Sequence, residues 1–63
     1  MKVGKFVEGM AIVNIYGKYG YINEKLELVI EPKYDYACEF SEGLALVHEI
    51  GKGNMFINSS FAS

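Results

Sequence analysis

The segment Phe6-Val7-Glu8-Gly9-Met10-Ala11-Ile12-Val13 returns 34 residues later as Phe40-Ser41-Glu42-Gly43-Leu44-Ala45-Leu46-Val47, with Phe, Glu, Gly, Ala and Val unchanged. Met10 against Leu44 and Ile12 against Leu46 are exchanges between apolar side chains of similar size. Gly17-Lys18 returns as Gly51-Lys52. The second copy then gains one residue, so that Tyr21-Ile22-Asn23 matches Phe56-Ile57-Asn58 at an offset of 35. Such a repeat constrains the fold strongly. Each copy is one supersecondary unit that cannot cover its own apolar face, and neighbouring copies must cover it by stacking. The 63 residues make one small domain. Repeat one spans about 6–39 and a partial repeat two about 40–63.

A period of this length also suits helical repeats. The local pattern excludes them. Val, Ile, Tyr and Phe dominate the periodic segments, glycines punctuate them, and no stretch carries an apolar stripe at helical spacing with caps. The fold class expected is all-β, an antiparallel β-meander of about five short strands. The strands fall near Met10–Ile15, Tyr19–Asn23 and Leu28–Glu31, then near Leu44–Glu49 and Asn54–Asn58. Glu-Gly at 8–9 and 42–43 turns the chain into each first strand, and Tyr16-Gly17-Lys18 reverses it again. Asn23 starts the next turn. Pro32 cannot donate to a ladder and is expected to end the third strand. Tyr34 to Phe40 reads as a connector with one short helical turn. The second copy is expected to lack its third strand.

Three blocks together resemble the WG-containing repeat family: Phe6-x-Glu8-Gly9-Met10-Ala11-x-Val13, Gly17-Lys18-Tyr19-Gly20-Tyr21-Ile22, and Val29-Ile30-x-Pro32-x-Tyr34-Asp35-x-Ala37-x-x-Phe40-Ser41-Glu42-Gly43. The family is mainly bacterial and occurs as tandem arrays. The resemblance implies a β-repeat module with a binding or scaffolding role, and it carries over no catalytic residues. Tyr19 stands where the family has Trp; in the second copy the offset of 34 puts Gly53 and Asn54 there. The glycine usual in the turn after Asn23 is replaced by Leu26 or a neighbour.

Fewer than two repeats give little cover. A chain of this size leaves much of its surface exposed and usually relies on a disulfide, a metal or a partner subunit. One cysteine makes no internal disulfide, and no Cys/His spacing suggests zinc. Met10–Val13 and Leu44–Val47 are continuously apolar and call for cover on both faces. An open sheet edge adds to the need. A homo-oligomer is therefore expected, a two-fold dimer in the first place, with a protein partner as a further candidate.

The charge pattern excludes other partners. Net charge is −2, all six basic residues are lysines, and no basic patch suits nucleic acid or an anionic membrane. No apolar run approaches the roughly 20 residues of a membrane span. No apolar stretch follows Lys5 as a signal peptide requires. Lone Cys38 suits a reducing compartment, and a cytoplasmic location is expected.

Candidate chemistry is sparse. Tyr19 and Tyr21 share one face of a strand and, with Tyr16, form the candidate interaction surface; the plainer reading, which carries more weight, is a core filled by aromatics with hydroxyls reaching the surface. Phe6 and Phe40 hold equivalent places and read as packing residues. Glu31, Asp35, Glu39 and Glu42 read as a solvated acidic face, and Glu8 and Glu42 as caps on turn amides. Cys38 and His48 could pair as thiol and imidazole, yet nothing in the sequence orients the histidine. Ser41, Ser59 and Ser60 lack a nucleophile-elbow context. No catalytic, cofactor or metal residue is assigned. The function expected is a non-enzymatic interaction or scaffold module that self-associates. The alternative is a small module binding a peptide or glycan on its tyrosines.

Overall fold

The chain, as a computed structural model, describes residues 2–58. Seven antiparallel strands form two sheets: β1 (Lys2–Val3), β2 (Met10–Ile15), β3 (Lys18–Asn23) and β4 (Leu28–Tyr34) in the first, and β5 (Tyr36–Ala37), β6 (Leu44–Glu49) and β7 (Gly53–Asn58) in the second. The order within each sheet follows the sequence, as in a meander. All five expected strands are present, with small shifts at their ends. The expectation that the second copy lacks a third strand concerns the chain after Asn58, which, with Ser59, Ser60 and Phe61, lies outside the described residues.

The register repeats with the sequence. Lys2 and Val3 pair with Asn14 and Val13, as Tyr36 and Ala37 pair with His48 and Val47. Two-residue ladders such as β1 and β5 have no periodicity to announce them. Where a helical turn was expected, the connector pairs as β5. The second hairpin closes like the first, with Ala45 opposite Ile57 as Ala11 is opposite Ile22. The extra residue sits in its turn. The first hairpin turns on Tyr16 (φ 52°) and Gly17 (φ 82°), while the second needs Ile50, Gly51 and Lys52 before Gly53. Its register therefore corrects the sequence alignment: Asn54, opposite His48, stands in the place of Tyr19, and Met55, opposite Val47, in the place of Gly20.

Pro32 does not end β4. The strand runs to Tyr34, with irregular pairing between Tyr19 and Tyr21 where β4 arches away from the ladder. β4 lies at a sheet edge, where a missing N–H leaves no ladder partner orphaned. The arch passes close over Gly20. A Cβ built there would lie 2.5 Å from the Ile30 carbonyl oxygen and 2.8 Å from the Pro32 nitrogen. A side chain at this position would collide with backbone.

Strand alternation gives each sheet two faces. Met10, Ile12, Tyr19 and Tyr21 lie on one face of the first sheet and join the main core. Against them pack Ala45, Val47, Met55 and Ile57, from the opposite kind of face of the second sheet. Their own counterparts, Ala11, Val13 and Ile22, form a smaller cluster on the first sheet's other side. The stacking is therefore polar: one sheet's Met-Ile-Tyr face meets the next sheet's Ala-Val-Ile face.

Candidate interaction surface

Three contacts tie the first sheet to the second sheet and the segment that leads into it. Phe40 stands edge-on to Tyr21, ring centroids 5.0 Å apart and planes at 69°, a favourable geometry for two aromatic quadrupoles. The Tyr21 hydroxyl donates to the Cys38 carbonyl at 2.7 Å. The Glu8 carboxylate accepts from the backbone N–H groups of Glu42 at 2.8 Å and Gly43 at 2.9 Å. Glu42 (φ 53°) and Gly43 (φ 81°) both lie in the left-handed region, as a type I′ turn requires. The two exposed N–H groups then converge into a small anion-binding nest. Glu8 does bind turn amides, as expected from sequence, but those of the other repeat.

Among the described residues the outer face of the second sheet has no such cover. Phe56 is 68% exposed and Leu44 46%, although their counterparts Tyr21 and Met10 are buried. Beside it runs a groove of about 500 Å³ between the edges of β4 and β7, walled by Val29, Ile30, Tyr34, Met55, Phe56 and Ile57. Phe56 borders both the bare face and the groove, which Glu31 and Lys33 also line.

The three candidate tyrosines do not form one surface. Tyr16 is fully exposed at a turn tip, Tyr19 is half-buried against the core, and Tyr21 is sealed inside it. Tyr19 and Tyr21 share a face, as expected, and it is the buried one. Burial raises the Tyr21 phenol well above its usual range, helped by Cys38 and Tyr34 nearby. Exposed Tyr36 is raised as well, first through a side-chain hydrogen bond with Cys38 and then through the thiolate charge.

Cys38 and His48 go separate ways. The His48 ring lies 3.0 Å (Nδ1) from the Asn54 Oδ1 and 3.6 Å (Nε2) from Asp35 Oδ2. Sequence reading missed both orienting partners. Asn54 faces His48 only because of the hairpin register, and Asp35 only because its N–H bonds the His48 carbonyl. The other Asp35 oxygen is buried without a partner among the described residues. Glu31, Glu39 and Glu42 are exposed. No group of three or more His, Cys, Asp or Glu among the described residues is placed to hold a metal ion. Nor is any helix there long and apolar enough to cross a membrane.

Two antiparallel meander sheets built on a 34-residue sequence period define a β-repeat protein. The model of the WG containing repeat matches residues 2–19 and 19–49, and the chain belongs to that family. The match ends at Glu49, just before the turn where the second copy gains its residue and replaces the Tyr19-Gly20 pair by Asn54-Met55. No curated protein and no solved structure matches the chain.

Proposed function

We propose that this chain is a non-enzymatic β-repeat scaffold module that self-associates, and that association covers the outer face of its second sheet. The observation that carries this reading is the contrast between Phe56, 68% exposed, and Tyr21, 0% exposed, at equivalent places. Exposed aromatic and leucine side chains side by side are a common mark of an interaction surface. A two-fold dimer is the simplest assembly, and free Cys38 suits a reducing, cytoplasmic setting. A peptide or glycan held on a tyrosine ledge has less support, because Tyr21 is closed off inside the chain.

Light scattering across a concentration series tests the reading. The expected result is a mass that rises from one chain to two or more with concentration. A folded monomer of 7.1 kDa up to millimolar concentration would overturn it.

A further inference from the structure

The chain holds one finished junction between repeats and both halves of another. In the finished one, Glu8 fills the Glu42–Gly43 nest and Phe40 caps Tyr21. The Glu8–Gly9 turn has nearly the same backbone, with φ of 55° and 81° against 53° and 81°. No side chain among the described residues accepts from its N–H groups, and its nest stands open. Glu42, the counterpart of Glu8, is exposed, and its carboxylate has no donor among the described residues. Phe6, the counterpart of Phe40, is 40% exposed where Phe40 is 2%. Phe56, the counterpart of Tyr21, is bare. The open nest and the Phe6 knob lie on the first repeat; the free carboxylate and the Phe56 platform lie on the second.

We propose that a second copy of this chain docks head to tail on the first. The Glu42 carboxylate of one copy seats on the Glu8 and Gly9 amides of the next, and Phe6 of that next copy packs on Phe56. This rests on the self-association reading above and gives it a polarity. The contact is heterologous: two copies that close on each other reciprocally form a two-fold dimer, and open-ended growth forms a filament. It is weaker than the internal junction for two reasons. Ala11, Val13 and Ile22 are already buried, so the apolar stacking of sheet on sheet is not available to the incoming copy. Phe56 also lacks the hydroxyl with which Tyr21 bonds Cys38, whose counterpart is Gly4.

That second weakness supplies a test by gain. Phe56→Tyr places a donor opposite the Gly4 carbonyl of the neighbour and tightens association about five-fold, the effect of one added hydrogen bond. A mixing experiment tests the polarity. Phe6→Lys blocks only the head, and Glu42→Lys with Phe56→Ser blocks only the tail. All three sites are exposed, and circular dichroism checks that each variant is folded. By sedimentation equilibrium each variant alone is expected to associate at least ten-fold more weakly than the parent chain, while an equimolar mixture forms a one-to-one pair through the single intact junction. Parent chains that associate while the mixture stays monomeric would overturn the head-to-tail contact and leave self-association standing. Variants that associate as well as the parent would do the same. A parent chain that stays monomeric at millimolar concentration would overturn both.

Discussion

Tyr21 and Phe56 occupy the same place in their repeats, yet the first is sealed and the second is 68% exposed. Their own strands do not make the difference, because both hairpins carry the same ladder. What differs is the neighbour. Tyr21 lies beneath Phe40 and against the second sheet, whereas nothing among the described residues stacks on the second sheet's equivalent face. A unit of this repeat therefore owns only half of its core, and the next unit supplies the other half. The core is closed between repeats rather than within them.

Exchanging residues between the two repeats tests that comparison. The largest effect is expected from Gly20→Met, which puts the second repeat's residue under the β4 arch. The Cβ alone would press on backbone 2.5 Å away, and a loss of about 3 kcal/mol is expected in urea denaturation. A loss below about 1 kcal/mol would mean that β4 can lift freely, and that the two repeats are nearly interchangeable at this position. Tyr21→Phe gives the first repeat the second one's platform. It leaves the Cys38 carbonyl without its donor and is expected to cost about 1–2 kcal/mol.

The same tyrosine sets the alkaline limit. Its phenol holds the proton more tightly in the folded chain than at the ordinary 10.0. Stability linked to it is thus fully present below pH 10 and is lost as pH rises further, by up to about 1.4 kcal/mol per pH unit. Denaturation midpoints between pH 9 and 12 should show this decline in the parent chain and a much flatter profile in Tyr21→Phe. Glu8→Ala empties the Glu42–Gly43 nest and is expected to cost about 1 kcal/mol, since the bonds are charge-assisted but exposed. Glu42→Ala should be nearly neutral in dilute solution, because its carboxylate holds no partner among the described residues. Equal losses at the two sites would break the comparison.

The smallest effect is a gain. Leu26 lies at φ 64°, in the left-handed region that favours glycine, and is 72% exposed. Leu26→Gly relieves the left-handed strain with little lost packing and is expected to stabilise by about 0.5–1 kcal/mol. Thermal melting would resolve it.

Much of this was legible in the residues. The hairpins followed from β-rich segments punctuated by glycine, and Asn23 starts its turn as expected, its Oδ1 accepting from Lys25 and Glu27 N–H. The resemblance left open whether Leu26 or a neighbour replaces the turn glycine; the backbone puts the left-handed residue at Leu26. Other features depend on the relation between repeats, which no single stretch encodes. β5 exists because Tyr36 meets His48, twelve positions on. The reach of Glu8 spans 34 residues and depends on how the sheets stack. Tyr21 could be read either as a ledge or as core, because alternation says which residues share a face, not which face is covered. Pro32 read as a stop because an arch at a sheet edge has no local signature.

In the proposed head-to-tail assembly the Glu42–Gly43 nest is filled within one chain and the Glu8–Gly9 nest only between chains. Amide hydrogen exchange of these four residues by NMR, followed over concentration, addresses it most directly. In dilute solution Glu42 and Gly43 should be protected and Glu8 and Gly9 should exchange freely. As concentration rises, Glu8 and Gly9 should gain protection in step with the rise in mass. Four amides that exchange alike at every concentration, or protection of Glu8 and Gly9 in the dilute monomer, would contradict it.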